Sequence, residues 1–328
     1  MRLAALALLA AAAAFLELVL GPVPIGIGDA MAALFGSGDA TTVTIVQSLR
    51  LPRMLLAVIV GGGLATAGAV MQGLFRNPLA EPGVIGTSAG AGLGAVFAIF
   101  VGLSGGWSVS VPLFAFIGAA ICTLACVGLA RRGGRMPMTS LLLAGLAVGS
   151  FAGAGISLML MNTTQYALRD MTQWLLGGLD GRGMSHVALS APIVILGCGA
   201  TLLFTRALDA LQLGEDAALT LGVRTEGTRA ALLGLAALVT AAAVSVAGII
   251  GFVGLVVPHA LRRLVGPRHG ALLPASFLGG ALLLTVADLG ARSIASGLEV
   301  RLGVVTALVG APVFLVLLRR AVREGRAA

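Results

Sequence analysis

The stretch RLPRMLLAVIVGGGLATAGAVMQGLFRNPLAEPGVIGTSAGAGLG, residues 50–94, contains two apolar runs joined by a polar segment. The first run covers residues 54–74 and the second begins at residue 84. Between them FRNPLAEPG, residues 75–83, carries one charge of each sign, two prolines and a glycine. About 20 apolar residues cross a bilayer, and backbone groups in lipid must form hydrogen bonds within their own segment. The stretch therefore predicts two membrane-spanning helices with a tight turn between them.

The whole chain has the same apolar character. Hydrophobic residues make up 58% of the 328 residues, charged residues make up 10%, and the mean hydropathy is +1.05. Soluble domains contain about 25% charged residues. Ten spans are predicted, at residues 3–21, 54–74, 84–103, 107–130, 138–161, 187–205, 230–250, 252–265, 271–291 and 303–318. The pattern lacks the alternation of a membrane β-barrel. We therefore predict an all-α polytopic membrane protein with about ten transmembrane helices, in which residues 1–328 form one domain.

The positive charges predict the topology. All 21 basic residues are arginine, and the net charge is +8. With a cytoplasmic N-terminus, ten spans place 15 arginines on the cytoplasmic side and 6 on the outer side, which agrees with the positive-inside rule. The outer arginines are Arg50, Arg53, Arg169, Arg182, Arg292 and Arg301. We expect both termini in the cytoplasm and no role in nucleic-acid binding.

Residues 1–21 admit two interpretations. A Met-Arg start, an alanine-rich run and A-x-A triplets also describe a secretory signal peptide. The run is longer than the usual ~7–15 apolar residues of such a peptide, and its removal would leave the termini on opposite sides of the membrane. A retained first span and a cleaved signal peptide both stay open.

Glycine repeats mark two of the predicted spans. The repeats are Gly86, Gly90 and Gly94 in one span and Gly145, Gly149 and Gly153 in another. Faces of small residues let helix backbones approach closely in lipid. Close packing and a smooth face along a transport path are the two alternatives.

Two other classes of protein need consideration. GTSAG, with Ser88 at its centre, fits the G-x-S-x-G pattern of hydrolases, and His259 and Asp288 could complete a triad. That motif requires a strand, a turn and a helix, whereas Ser88 begins an apolar span. An ion-coupled carrier would need carboxylates inside spans, and only Glu17 and Asp288 qualify.

This chain cannot bind ATP through a P-loop, because that motif requires a lysine and the chain has none. The three histidines are scattered along the sequence. We expect a non-catalytic chain without a metal site or bound cofactor, and an ATP-driven process would need a separate ATPase.

The largest cytoplasmic segment covers residues 206–229. Its middle, Gly214 to Gly222, predicts a short helix that ends at a glycine. Glu215 and Asp216 lie in the first turn, where the helix dipole favours acidic side chains. Such a helix is typical of a docking element for a soluble partner, and an ordinary solvated loop is the alternative.

Four stretches together resemble the permease subunits of type II ABC importers, the family that carries ferric siderophores, haem and cobalamin. They are the opening stretch, TSLLLAGLAVGS (139–150), GFVGLVVPHALRRLVGPRH (251–269) and LGVVTALVGAPVFLVLL (302–318). The resemblance implies ten helices in each chain, a homodimer around a central path and two ATPase subunits that hold ATP and Mg²⁺. It also implies a periplasmic substrate-binding protein and the bacterial inner membrane.

The resemblance assigns roles to particular residues. DAALTLG is similar to the coupling helix that sits in a groove of the ATPase, which implies contacts from Glu215, Asp216, Ala217, Ala218, Leu221 and Gly222. Arg50, Arg53 and Arg292 match the arginines that receive acidic residues of the binding protein. Interfacial anchoring to lipid headgroups is the alternative for these arginines.

The cytoplasmic gate and hinge are implied in the same way. MTSLLLAG resembles the start of the fifth helix, which makes Thr139 and Ser140 gate candidates, with N-capping of that helix as the alternative. The turn between the second and third spans is expected to be a structural hinge rather than a ligand site. Its residues are Arg76, Asn77, Pro78, Glu81 and Pro82.

The expected function is ATP-driven import of an iron chelate, either haem or a ferric siderophore, by alternating access. Methionines near the outer end of the fifth span, with Arg169 and Arg182 nearby, favour haem slightly, because thioethers together with cationic groups suit a large apolar anion. They are Met159, Met161, Met171 and Met184. Cobalamin import is the first alternative, and an ion-coupled carrier is the second.

Overall fold

A computed structural model describes residues 1–103, 109–131, 136–293 and 300–323 of the chain. For residues 293, 317, 318 and 320–323 it describes the backbone only. Within these ranges the chain consists of helices and connecting turns, without a strand. The predicted all-α class is confirmed.

Fifteen α-helices follow one another along the described chain. They are α1 (Arg2–Val19), α2 (Ile27–Leu34), α3 (Ala40–Thr44), α4 (Leu51–Phe75), α5 (Thr87–Phe100), α6 (Ser110–Ala130), α7 (Met138–Met161), α8 (Gln165–Leu175), α9 (Met184–Leu202), α10 (Thr205–Gln212), α11 (Glu215–Thr220), α12 (Thr225–Ala247), α13 (Val253–Val265), α14 (His269–Ser293) and α15 (Leu302–Arg323). A π-helical segment (Ile45–Arg50) makes α3 and α4 continuous, and a 3₁₀ turn (Pro82–Ile85) precedes α5.

Each of the ten predicted spans contains one of these helices, with boundaries that differ by a few residues. Seven helices of the described chain are long and apolar enough to cross a bilayer: α1, the continuous α3–α4 helix, α6, α7, α9, α12 and α14. The helices α5 and α13 are shorter, with 14 and 13 residues, and α15 has 22 residues, of which 302–316 form an apolar stretch. Seven crossings therefore have direct support, and the count of ten stays a prediction.

The centre of the bundle is α4, which packs against α9, α12, α13 and α14. Gly61 faces Gly280 of α14, and Gly68 faces Gly254 of α13. In both places an added Cβ would overlap the carbonyl oxygen of the opposite glycine. Backbone-to-backbone contact of this kind replaces the hydrophobic driving force that helices lack in lipid.

The two glycine repeats have different surroundings. Gly90 and Gly94 of α5 lie so close to α6 that a Cβ would overlap the carbonyl oxygens of Gly118 and Phe114. Gly153 of α7, in contrast, has open space within 4 Å of the position that a Cβ would take. The first repeat is therefore a packing surface. In the second repeat Gly145 packs equally tightly against the Val84 carbonyl, whereas the face of α7 around Gly153 is available for other contacts.

We expect Gly94→Ala to lower the stability of the chain, while Gly153→Ala leaves it unchanged or raises it. Forcing an extra methyl into a tight contact costs about 1–3 kcal/mol, whereas alanine at an open helical site is favoured over glycine. Thermal unfolding of the two purified variants in the same detergent measures the difference. Equal losses in both variants would contradict the packing role of Gly94.

Three interruptions of helices meet inside the bundle. They are the turn after α8 at Gly177 (φ 66°), the break after α12 at Gly248 (φ 71°) and the start of α15. The Gly178 N–H donates to the carbonyl of Ala247 (2.7 Å), and the Gly303 N–H donates to that of Gly177 (3.3 Å). An apolar cavity of about 590 Å³ lies beside this junction, lined by Leu175, Ile249, Gly303, Val304, Ala307 and Pro312. Transporters commonly place such discontinuous helices beside their binding sites.

Candidate functional site

The two ends of α4 define two candidate regions. Arg53 lies in the first turn of the helix, and Gly73 lies in its last turn, where His269 and Leu208 contact it. The helix has 25 residues, so these ends lie roughly 35 Å apart at 1.5 Å per residue. We call them the Arg53 end and the α11 end, because α10 and α11 lie beside the second.

At the Arg53 end, six charged side chains form one connected group. Asp288 of α14 accepts from Arg53 Nε (2.7 Å) and Nη2 (2.9 Å). Arg292 Nε lies 3.2 Å from Asp288, and its Nη2 lies 3.5 Å from Glu17 of α1. Asp180 contacts Arg53 and lies 3.4 Å from Arg301 Nη1. We call Glu17, Arg53, Asp180, Asp288, Arg292 and Arg301 the charge cluster.

The charge cluster is largely shielded from solvent. Asp288 is 0% exposed and Glu17 is 1% exposed, while the three arginines are mostly buried. A buried charge is tolerated only when it is paired and hydrogen-bonded. The cluster contains three acidic and three arginine side chains, and it joins α1, α4, α14, the α8–α9 turn and the residue before α15.

Arg50 has a different role at the same end. Its Nη1 donates to the carbonyl oxygens of Leu18 (2.8 Å) and Val19 (2.7 Å), and its Nη2 contacts that of Val23. The first two carbonyls belong to the last two residues of α1, where backbone acceptors have no partner in the helix, and Val23 follows in the connection to α2. Arg50 therefore caps α1 and carries a positive charge into this region.

A cavity of about 650 Å³ opens at the Arg53 end. Its charged lining residues are Arg50, Arg53, Arg182, Arg292 and Asp180. All three arginines predicted to dock the binding protein therefore lie together, although Arg53 and Arg292 are already paired within the chain. Sequence analysis predicted Arg182 only as an outer cationic residue and missed Asp180, whose signal was the polar interruption GGLDGRG (177–183).

The α8–α9 turn places Arg182 among other cations. Burial and the nearby Arg301 guanidinium lower the pKa of Arg182, and Asp180 acts in the opposite direction. Nε of Arg182 is buried and has no hydrogen-bond partner among the described residues. The cavity therefore presents an excess of positive charge.

The hydrolase and carrier alternatives find little support here. Asp288 is bound to arginines at the Arg53 end, whereas Ser88 lies beside Gly83 in the turn that follows α4 at its other end. Because they lie near opposite ends of α4, they cannot form a triad with His259. Glu17 and Asp288, the carboxylates considered for ion coupling, both belong to the charge cluster.

At the α11 end, the predicted short helix is confirmed as α11, between Gly214 (φ 118°) and Gly222 (φ 81°). Glu215 in its first turn pairs with Arg229 of α12 (3.1 Å), which fastens the segment to the bundle. Of the residues predicted to contact the ATPase, Ala218 is fully buried within the chain and Ala217 is half-buried. The other four are exposed: Glu215, Asp216, Leu221 and Gly222.

Exposed leucines are a second feature of this segment, and sequence analysis predicted only Leu221 among them as a contact residue. Leu213, Leu219 and Leu221 are all exposed, although they lie in an otherwise polar segment. Leu219 follows directly after buried Ala218, so α11 presents one face to the chain and another outward. Outward-facing apolar side chains on a polar segment indicate a protein contact.

A second polar contact connects α10 with α14. Asp209 Oδ1 accepts the backbone N–H of His269 (2.9 Å) and lies 2.7 Å from its Nδ1. His269 is fully buried, and its ring lies against Gly73 of α4. The helix α10 leads directly into α11. A displacement of α10 would therefore shift His269 at the start of α14 and its contact with the end of α4.

The gate candidates lie in the first turn of α7. Thr139 is exposed and Ser140 is half-buried. Pro137 occupies the N-cap position without a side-chain bond, so the N-capping alternative is wrong for both residues. Their role as a gate stays a prediction.

The hinge candidates form bonds that fit a structural turn. Arg76 ends α4 in the left-handed conformation (φ 51°), and Asn77 Oδ1 accepts the Leu79 N–H (2.9 Å). Pro78 follows Asn77, and Pro82 packs against Gly254. Glu81 connects this turn to a distant part of the chain, because its Oε1 accepts a hydrogen bond from the N–H of Phe252 at the start of α13 (2.9 Å).

Glu81 holds an unusual backbone in place. Phe252 has a left-handed φ of 68°, a conformation that costs energy for a residue with a bulky side chain. Burial raises the pKa of Glu81, while the hydrogen bond from Phe252 acts in the opposite direction. The turn after α4 is thereby tied to the break between α12 and α13.

We expect Glu81→Ala to destabilise the chain by about 1–3 kcal/mol, since the partly buried Phe252 N–H would lose its acceptor. Glu81→Gln keeps a carbonyl oxygen at the same place and is expected to behave like the wild type. Thermal unfolding in detergent compares the three proteins. A glutamine variant as unstable as the alanine variant would show that the carboxylate charge matters instead of the bond.

The methionines near the outer end of α7 do not form one surface. Met171 is fully buried in the core, Met159 is half-buried, and Met161 and Met184 are exposed. Only the last two could meet a large ligand directly. They give weak grounds for choosing among cargoes.

Known proteins share both the sequence and the fold. The model of the FecCD transport family matches residues 8–320. The chain is 45% identical over 287 residues to the cobalamin import system permease protein BtuC of Halobacterium salinarum, covering 88% of this chain and 76% of that one. It is 41% identical to the hemin transport system permease protein HmuU of Yersinia pestis, over 83% of this chain and 82% of that protein.

A solved structure has the same fold over nearly the whole length. It is described as an inward-facing conformation of a putative metal-chelate type ABC transporter, with a TM-score of 0.86 and 30% identity. The match covers 97% of this chain and 98% of the other. Sequence and fold agree on one assignment: the chain belongs to the FecCD transport family.

Proposed function

We propose that this chain is the permease subunit of an ATP-driven importer that moves an iron chelate, haem or a ferric siderophore, from the periplasm into the cytoplasm by alternating access. Relatives over most of its length are named as import permeases, and the similar solved structure is named as an ABC transporter. The chain itself is non-catalytic, and ATP and Mg²⁺ bind to a separate ATPase.

One structural observation carries this proposal: a single bundle bears a basic cavity at one end and an exposed docking helix at the other. Arg50, Arg53 and Arg292 line the cavity, which suits acidic residues of a periplasmic binding protein. The helix α11 projects leucines and carboxylates outward, as expected of a contact with an ATPase. The hinge turn with Glu81 follows α4 at the α11 end, and the junction at Gly177 lies three residues before Asp180 of the Arg53 end.

The proposed assembly is a homodimer with two ATPase subunits and one periplasmic binding protein, in the bacterial inner membrane. Both termini are placed in the cytoplasm on the α11 side. Thr139 and Ser140 are proposed to gate the cytoplasmic exit. The turn after α4 is proposed to act as a hinge, through Arg76, Asn77, Pro78, Glu81 and Pro82.

Cobalamin is the second candidate cargo. The observation that favours it is the 45% identity with the cobalamin permease of Halobacterium salinarum. The binding protein is expected to select the cargo, because the cavity beside the junction is apolar and offers few polar contacts. Haem, a ferric siderophore and cobalamin are therefore tested side by side.

The test is uptake by liposomes that contain this chain and its candidate ATPase. Each cargo is offered with a matching binding protein, with and without ATP, and the amount taken up is measured. We expect uptake of one cargo class that requires both ATP and the binding protein. Uptake that follows a proton gradient without the ATPase would contradict the proposal.

A further inference from the structure

We propose that Asp180 occupies the position on Arg53 that an acidic side chain of the binding protein takes when it docks. Docking then replaces the Asp180 carboxylate with a carboxylate of the binding protein. The proposal rests on the proposed function, since it assumes a binding protein at the Arg53 end. It adds a residue of this chain that sets the affinity of docking. It also explains how arginines that are already paired within the chain can bind an acidic side chain of the binding protein.

The first argument is the division of the Arg53 guanidinium between two carboxylates. Asp288 accepts hydrogen bonds from Arg53 Nε and Nη2, and Asp180 accepts one from Arg53 Nη1. Asp288 is 0% exposed, whereas the Asp180 side chain is 31% exposed. Asp180 is therefore the replaceable partner, and Nη1 is the position that an incoming carboxylate would use.

The second argument is the charge of the cavity. Asp180 is its only acidic lining residue among the described residues, against Arg50, Arg53, Arg182 and Arg292. Within the described chain neither Arg50 nor Arg182 forms an ion pair with a carboxylate. Without Asp180 the cavity would present four cations, so Asp180 lowers the attraction that an acidic partner experiences.

The third argument is the local freedom of the Asp180 side chain. Leu179 is buried and Gly178 is bonded to α12, so the backbone before Asp180 is held. Gly181 and Gly183 follow it in open space, with no atom within 4 Å of an added Cβ. The carboxylate can therefore turn away from Arg53 while the turn stays attached to the bundle.

The exchange has a consequence beyond docking. Asp180 also pairs with Arg301, the residue directly before α15. When a partner acid displaces Asp180 from Arg53, the link from α4 through Asp180 to α15 is broken. Occupation of the cavity is thereby communicated to α15, one of the helices at the interrupted junction.

Asp180→Asn is the decisive variant, because it keeps the side-chain shape and removes the charge. Binding of the purified binding protein that supports uptake in the liposome assay is measured against the permease complex in nanodiscs. We expect about fivefold tighter binding, as for removal of a partly exposed competing ion pair. Asp29→Asn is the matched control: Asp29 is exposed in the first turn of α2 and does not line this cavity, so unchanged binding is expected.

The outcomes separate this inference from the proposed function. Wild-type permease that binds no binding protein overturns both. In a second outcome the wild-type permease binds the binding protein, and the Asp180→Asn variant, with an unchanged unfolding temperature, binds it equally or more weakly. This result overturns only the role of Asp180. Should the asparagine variant not purify, Asp180→Ser removes the same charge and is judged by the same criterion.

Discussion

The Asp288→Ala variant is expected to lose about 3–5 kcal/mol of unfolding free energy, the usual cost of removing one partner of a buried ion pair. Asp288 is 0% exposed and holds both Arg53 and Arg292. Its removal leaves two guanidinium groups in a shielded region with only Asp180 and Glu17 as partners. Thermal and denaturant unfolding of the purified chain in detergent measure the loss.

A matched pair of variants makes this prediction specific. Asp170→Ala removes an exposed aspartate from α8 and is expected to change the stability little. Asp288→Leu combined with Arg53→Met removes the pair together, leaving Asp180 with Arg301 and Glu17 with Arg292. Because apolar groups can replace a buried pair at little cost, the double variant is expected to recover most of the stability. Equal losses from Asp170→Ala and Asp288→Ala would contradict the prediction.

The helices of the bundle could be predicted from sequence because each depends on a local property. An apolar window of sufficient length forces the backbone into a helix in lipid, and Gly214 and Gly222 delimit α11 through their freedom at positive φ. The short helices α2, α3, α8 and α10 were not predicted. They lie in segments whose apolar residues are too few, or whose apolar runs are too short, to be distinguished from a loop.

The pairing of charges could not be predicted from sequence, because it depends on contacts between distant parts of the chain. Arg53 is separated by 235 residues from Asp288 and by 127 from Asp180. Glu81 and Phe252 are 171 residues apart. Sequence identified Arg53 and Glu81 as unusual polar residues beside apolar runs, but only the packing of α4 against α14 and α13 selects their partners.

The same limit applies to burial within short polar segments. DAALTLG was recognised as a docking element, yet Ala218 of this motif is fully buried and exposed Leu219 was overlooked. A six-residue helix is too short for periodicity to show which side faces the bundle. The ion pair between Glu215 and Arg229 fixes that orientation, and it forms only after α12 is in place.

Replacing Leu219 and Leu221 together with glutamate is expected to release the ATPase from the permease. The two residues are 53% and 65% exposed, so the substitution removes little packing within the described chain, and the unfolding temperature is expected to change little. Burial of a leucine at an interface contributes about 1.5–3 kcal/mol. Losing two such contacts predicts a fall in affinity of about 100-fold or more.

Thr220→Glu tests whether added charge alone explains such a loss. Thr220 lies between the two leucines and is also exposed, so this variant brings a negative charge to the same place, one where the leucine pair brings two, and keeps both apolar side chains. Copurification of the ATPase and its hydrolysis rate with the permease are compared among the three proteins. If Thr220→Glu retains the ATPase while the leucine pair loses it, apolar contact holds the subunits together. If both variants lose it equally, the interface is governed by charge, and the assignment of Leu219 and Leu221 as anchors is wrong.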